Sequence, residues 1–184
     1  MMNTKLSYNK LLITLLVLTI SQSIQAKMTD FKDGPAIAGY GNHAPVDSKS
    51  QIKDIKFKVA FDVGNAADPG ELNRKFDSLA RFINMQVAAG VPKENIQLAL
   101  VVHGKASFDL LDNDTYQKAH QLDNKNKPLI QNLLANNVRV ILCGQTAAAY
   151  DISLAQLIEG SEMELSAMTA HALLQQQGFT VNPF

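Results

Sequence analysis

From residue 56 onward, the period of apolar and polar positions predicts alternating strands and helices. Residues 57–63 alternate apolar and polar side chains, which indicates a first strand. Asp68-Pro69-Gly70-Glu71 has the capping pattern of a helix start, and apolar residues then recur at spacings of three and four up to residue 87. Residues 96–102 and 138–143 are nearly continuous apolar runs, as expected for strands covered by helices on both faces.

The remaining pattern predicts shorter elements. They are one or two short helices within 106–121 with a start at Asn113-Asp114, helices from 128, at 146–158 and at 168–177, and short strands near 163–165 and at 179–181. Five strands joined by helical crossovers predict an α/β domain over residues 55–184 with an all or mostly parallel sheet.

The first 26 residues have the order of a secretory signal peptide. Lys5 and Lys10 precede an apolar stretch at residues 11–20, and small and polar residues then lead to Ala26. We therefore expect cleavage after Ala26 and a periplasmic or secreted protein. The alternative is a membrane anchor, but about ten apolar residues are too few for a bilayer about 30 Å thick, so no stable membrane insertion is expected.

Residues 27–54 form a predicted N-terminal extension, because turn-forming pairs such as Gly34-Pro35 and Ala44-Pro45 occur there without a regular period. Phe31, Ile37 and Tyr40 in this extension would pack on the domain or on a neighbouring subunit. A mobile arm is the alternative.

The charge of the chain argues against nucleic-acid partners. The 17 basic and 17 acidic residues balance, and removal of residues 1–26 takes away two lysines. No basic stripe or run of lysines interleaved with aromatic residues is present. The length beyond residue 26 suits one domain whose core needs neither disulfides nor a metal.

Cys143, the only cysteine, ends the third predicted strand just before Gly144-Gln145-Thr146. In an exported protein this thiol has no internal disulfide partner. A helix starting near Thr146 and the cations His103 or Lys105 would lower its pKa below the free value of about 8.5. We expect a partly exposed nucleophile at the carboxyl edge of the sheet, where ligands bind in such folds. The alternative is a small, packed core residue.

Other candidate residues follow strand ends, which meet at the same edge of a parallel sheet. His103 would orient or protonate a bound sulfur compound or anion, or it is a capped core residue. Lys105 would hold an oxyanion with the Gly104 amide, or it is an ordinary solvated lysine. The amides of Gly144 and Gln145, with Thr146, would bind the same anion, or Gln145 and Thr146 merely cap the helix. Asn65, after the first strand, completes the predicted binding set.

The separation of the two main candidates depends on strand order. If the first strand lies between the second and third, as in the flavodoxin-like order, His103 and Cys143 begin about 10 Å apart. We expect no metal or cofactor, because the histidines and the cysteine share no short ligand spacing and no phosphate loop or nucleophile elbow is present.

Several segments together resemble the exported members of the DsrE/DsrF-like family over residues 30–184. They are Val101-Val102-His103-Gly104-Lys105-Ala106, Leu110-Leu111 with Tyr116, Leu142-Cys143-Gly144-Gln145-Thr146, Ser166-Ala167-Met168-Thr169 and Leu174-Gln175-Gln176-Gln177-Gly178-Phe179. The resemblance implies a flavodoxin-like three-layer sandwich assembled into trimers or hexamers. In some members a cysteine carries persulfide sulfur in a relay, and Cys143 and His103 match the cysteine and histidine of the family's motifs.

The sequence thus predicts an exported sulfur-handling protein, in which Cys143 carries sulfur as a persulfide and a donor or acceptor protein is its partner. Sulfurtransferase-type turnover by this chain alone is not expected. The alternative is an oligomeric module that binds a small anion and in which Cys143 is structural. Thiol–disulfide exchange is a third reading, but no second cysteine is present to resolve a mixed disulfide.

Overall fold

The computed structural model describes residues 30–182, and the predicted signal peptide at residues 1–26 lies outside the described residues. The residues from Lys32 to Asn182 belong to one compact unit. Its sheet has five parallel strands, which confirms the predicted α/β class. The strands are β1 (Phe57–Val63), β2 (Ile96–Val102), β3 (Arg139–Cys143), β4 (Glu162–Glu164) and β5 (Thr180–Asn182).

The strand order is β4-β3-β2-β1-β5, so β1 lies between β2 and β5. The flavodoxin-like position of the first strand, between the second and third, is therefore not the one observed. The first three crossovers all step in one direction, and only the last returns to the far side of β1. As a result β2 and β3 are neighbours, in a register that pairs Val102 with Leu142.

Five α-helices lie within residues 30–182, and two of them begin or end well away from the predicted bounds. The helices are α1 (Arg74–Ala88), α2 (Asn113–His120), α3 (Asn126–Ala135), α4 (Gly144–Tyr150) and α5 (Ala167–Gln176), with 3₁₀ segments at Lys93–Asn95, Gly104–Leu110 and Leu154–Gln156. None of the helices in the described part of the chain combines the length and apolar character needed to cross a membrane.

The start of α1 corrects the predicted cap at Asp68. Gly70 adopts a left-handed φ of 77° and its amide donates to the Tyr116 hydroxyl, so a turn, not a helix, follows Asp68. Asn73 is the observed cap, because its side chain accepts a hydrogen bond from the Lys75 amide.

The helix start predicted at Asn113-Asp114 is confirmed, whereas the helix predicted at 146–158 is shorter than the pattern suggested. The segment 106–121 divides into the 3₁₀ segment and α2, because Asp112 caps a new helix by accepting from the Thr115 amide. The segment 146–158 ends as a helix at Tyr150, after which Asp151 adopts a left-handed φ of 53°.

The two faces of the sheet bury different sets of side chains, and together they make three layers. One face carries the main core, in which α1, α2 and α3 cover Val63, Val102 and Leu142. On the other face, Val101 and Ile141 pack against α5. Because side chains alternate along a strand, the residues that follow Val63, Val102 and Leu142 lie on the α5 side of the sheet. This alternation fixes where the chemically reactive side chains lie.

The N-terminal extension packs on its own domain, largely around one buried asparagine on α1. Asn84 accepts hydrogen bonds from the amides of Ala36 and Ile37 and donates to the carbonyl oxygens of Ile37 and Tyr40. Ile37 is buried and Tyr40 packs against the core. Of the alternatives for the extension, packing on the domain is therefore observed for these two residues.

Candidate functional site

Cys143 ends β3 with its side chain on the α5 side of the sheet, and only 6% of the residue is exposed. The predicted partial exposure is therefore wrong for this chain. The turn after Cys143 lies close to the end of β4, since a Cβ on Gly144 would come within 2.7 Å of the Glu164 carbonyl oxygen. This close approach, which only glycine permits, brings the start of α5 over the thiol.

Four hydrogen-bond donors converge on the sulfur of Cys143. They are the amides of Gln145, Thr146 and Ala167 and the hydroxyl of Thr146. Burial raises the pKa of the Cys143 thiol, but these hydrogen bonds lower it by more, so the pKa lies below its ordinary value. The predicted direction is confirmed, and the helix start near Thr146 contributes to it as expected, but the second contribution comes from the start of α5 and not from a cation.

The Thr146 hydroxyl links the ends of β2 and β3. The amide of Gly104 donates to Thr146 Oγ1 at 3.1 Å, so the hydroxyl hydrogen is directed away from that amide and can serve the sulfur. The Gly104 amide, which the sequence suggested as an anion donor, is therefore already used within the protein. Gly104 itself has a left-handed φ of 53°, which suits glycine.

A carboxylate and two histidines complete this side of the sheet. Asp62 Oδ2 lies 3.2 Å from His103 Nε2, and Asp62 Oδ1 lies 2.8 Å from His171 Nε2. Burial raises the pKa of Asp62, but the bonds to His171 and His103 lower it by more, so the carboxyl stays ionised below its usual range. Neither Asp62 nor His171 was predicted from the sequence as a site residue. The available signal was an acid next to the end of a predicted parallel strand, at the edge where ligands bind in such folds.

The register of β2 and β3 places His103 beside Cys143. Val102 pairs with Leu142, so the next residues on the two strands are His103 and Cys143, on strands about 4.8 Å apart. Val102 and Leu142 face the main core, so the residues that follow them, His103 and Cys143, both point to the α5 side. The expected separation of about 10 Å is thus corrected to that of adjacent strands.

The side chains of the other predicted site residues are less closely associated with the sulfur than the Gln145 amide is. Gln145 is exposed and its side chain donates to the Leu165 carbonyl oxygen at 3.2 Å. Lys105 is exposed and forms no hydrogen bond or ion pair with any residue in the range 30–182. Asn65 follows β1, two strands from β3, and lines a separate groove of about 770 Å³ beside the extension. The structure therefore groups Cys143, His103, Gly104, Gly144, Thr146 and the amide of Gln145, but not Lys105 or Asn65.

Replacing Thr146 with valine is expected to raise the pKa of Cys143, because it removes a hydrogen bond that favours the thiolate. A hydrogen bond to a charged group contributes about 1.5–3 kcal/mol, so alkylation at neutral pH should slow by on the order of tenfold. Alkylation rises with pH as the thiol ionises, and the whole curve for Thr146→Val should move to higher pH. The measurement is the rate of iodoacetamide modification across pH.

Thr115→Val on α2 is the matched control, since the Thr115 hydroxyl makes no hydrogen bond with the described residues. Its alkylation curve should coincide with that of the wild type. An unchanged curve for Thr146→Val would show that the hydroxyl does not stabilise the thiolate.

Residues 58–183 match the model of the DsrE/DsrF-like family, which covers more than half of the chain. The chain belongs to the DsrE/DsrF-like family. No curated protein matches this family member. Among solved structures, its fold is similar to that of MTH1491, a protein of unknown function from Methanobacterium thermoautotrophicum, with a TM-score of 0.52 and 16% identity over 70% of this chain and 99% of that one. The ychN protein of E. coli has a TM-score of 0.48 and 23% identity over the same shares.

No three His, Cys, Asp or Glu side chains of this DsrE/DsrF-like protein are arranged to hold a metal ion within residues 30–182.

Proposed function

We propose that this DsrE/DsrF-like protein is an exported sulfur carrier that holds sulfur on Cys143 as a persulfide. The observation that supports this function is the convergence of three amides and one hydroxyl on a single sulfur. Such donors stabilise an anionic sulfur atom, and the thiolate is the form of cysteine that acts as a nucleophile. Some members of the family act in sulfur relays, and this resemblance supports the same function.

The loading step would be an attack by the Cys143 thiolate on the outer sulfur of a persulfide or polysulfide. A bond forms between Cys143 and that sulfur, the bond to the inner sulfur breaks, and the remaining thiolate leaves with the electron pair. No external oxidant is required, because one S–S bond replaces another. Delivery is the same step in reverse direction, with a partner's thiolate as the attacking group, so the chain needs a donor and an acceptor.

The burial of Cys143 favours a second candidate function. A cysteine that is only 6% exposed can also pack into the wall of a pocket that binds a small anion without covalent chemistry. In that case the protein would be an oligomeric binding or assembly module. The two functions differ in whether sulfur becomes bound to Cys143.

Intact mass before and after treatment with inorganic polysulfide distinguishes these functions. A carrier gains the mass of one or more sulfur atoms, and the gain is removed by a reductant. The gain should also map to the peptide that contains Cys143. A protein that remains unmodified and resists alkylation when folded would contradict the carrier and support the binding module.

Export and assembly are part of the same proposal. The signal pattern at residues 1–26 supports export, and N-terminal sequencing of the secreted fraction would detect cleavage after Ala26.

The family resemblance supports a homotrimer or hexamer. Apolar side chains beside Cys143 are exposed, among them Leu165 and Met168, the latter 80% exposed. Light scattering in dilute solution would measure the oligomer, and a monomer would contradict it.

A further inference from the structure

One carboxylate joins two histidines on the side of the sheet that carries the Cys143 thiol. Asp62 binds His103 Nε2 through one oxygen and His171 Nε2 through the other, at 3.2 and 2.8 Å. An ionised carboxylate only accepts hydrogen bonds, so both Nε2 atoms carry hydrogen. The Nδ1 atom of His103 is therefore the ring nitrogen left to interact with a bound molecule. His103 is partly exposed, so a ligand can reach it.

The position of the His103 ring is set from two sides. Asp62 holds the Nε2 edge, and the ring lies directly against Gly64, where an added Cβ would come within 2.6 Å of His103 Cε1. His171, on α5, binds the second oxygen of Asp62 and so limits the rotation of the carboxylate. The imidazole is thus ordered before any ligand binds.

Thiolate formation does not use this histidine. The hydrogen bonds that lower the pKa of Cys143 come from Gln145, Thr146 and Ala167. His103 lies on the neighbouring strand, on the same side of the sheet as the sulfur. His103 is therefore left for a role at the other sulfur in the reaction, the one that leaves.

We propose that Asp62 is a positioning residue that holds His103 as the proton donor to the sulfur that leaves when Cys143 attacks an S–S bond. This inference rests on the proposed function only in taking Cys143 as the nucleophile. The thiolate attacks R–S–S–R′, the bond between Cys143 and the R–S sulfur forms, and R′–S⁻ departs with the electrons of the broken bond. Protonated His103 gives its Nδ1 proton to R′–S⁻, yielding R′–SH and a neutral imidazole. Asp62 balances the charge of the imidazolium beforehand.

Two small reagents that transfer the same group test this division of roles. Dimethyl disulfide and methyl methanethiosulfonate both leave a methylthio group on Cys143. The disulfide releases a strongly basic thiolate that benefits from protonation, whereas the thiosulfonate releases a weakly basic sulfinate that does not. Rates of modification are followed by intact mass at neutral pH for the wild type, Asp62→Asn and His103→Gln. Asp54→Asn and His120→Gln are matched controls, since Asp54 is exposed and His120 lies on α2 against Tyr116.

The expected result is a loss of at least about tenfold in the rate with dimethyl disulfide in both site variants, because general acid catalysis contributes about 10²–10⁴-fold. Their rates with the thiosulfonate should stay within about twofold of the wild type. Equal losses with both reagents would mean that Asp62 acts on the fold or on the thiolate. No loss with either reagent would mean that Asp62 has no role in the reaction. Each of these results overturns the proposal.

Failure of the carrier function is distinguishable from failure of this inference. If the wild type reacts with the thiosulfonate but does not load sulfur from polysulfide, the carrier proposal fails, and the comparison of leaving groups still decides the role of Asp62. A wild-type Cys143 that reacts with neither reagent is not a nucleophile, and this overturns both proposals.

Discussion

Cys143→Ser is expected to abolish sulfur loading from polysulfide while leaving the fold intact. A serine hydroxyl can accept the hydrogen bonds that the amides of Gln145, Thr146 and Ala167 make to the sulfur, so the buried donors keep a partner. The change in unfolding free energy should therefore stay within about 2 kcal/mol. The alcohol is not ionised at neutral pH and does not attack sulfane sulfur. Intact mass should show no added sulfur at any time.

A second variant tests whether the surroundings of Cys143, and not merely a thiol, are required. Ala149→Cys in the Cys143→Ser background places one thiol on the exposed side of α4, without the converging donors. We expect this thiol to load far more slowly than Cys143 at neutral pH, because more of it is protonated. Loading at the wild-type rate would contradict a specialised site and would reduce Cys143 to an ordinary thiol.

Asn84→Ala is expected to destabilise the protein strongly. Asn84 is fully buried, and its side chain makes four hydrogen bonds to the backbone of Ala36, Ile37 and Tyr40. Alanine leaves these backbone groups without partners. Since each buried unsatisfied group costs about 1–3 kcal/mol, a total loss of about 3–5 kcal/mol follows once the extension relaxes.

Thermal unfolding checks this result directly. A loss of that size corresponds to a decrease in Tm of roughly 10 °C for a domain of this length. Limited proteolysis should also cut the extension between residues 32 and 50 sooner than in the wild type. The control is Asn132→Ala on the exposed side of α3, where the side chain donates only to the Pro128 carbonyl oxygen. A Tm for Asn84→Ala close to that of Asn132→Ala would show that the extension contributes little to stability.

The pattern of apolar positions predicted the strands well, because the burial of side chains along a strand follows directly from that pattern. The apolar run that became β2 and the alternation that became β1 lie within a residue of their predicted bounds. The start of α1 was wrong because the capping pattern at Asp68 competes with a long-range contact. The Gly70 amide donates to the Tyr116 hydroxyl, 46 positions away, and no local pattern contains that bond.

The polar residues of the site were harder to predict than its cysteine. Cys143 stood out because it is the only cysteine and follows a buried strand. Asp62 resembled a solvent-facing residue of an alternating strand, and His171 an ordinary helix residue. Their meeting joins residues 109 positions apart, and it depends on α5 packing across β1.

The sequence by itself determined the α/β architecture, the edge at which strands end, and the residue types that meet there. It could do so because hydrophobic period and strand-end position are local properties of the chain. Only the tertiary structure decided that β2 and β3 are neighbours, that Cys143 is buried beneath the start of α5, and that its sulfur receives hydrogen bonds from amides and not charge from lysine. Strand order and helix placement follow from how whole faces pack together, and the same local pattern is compatible with several such arrangements.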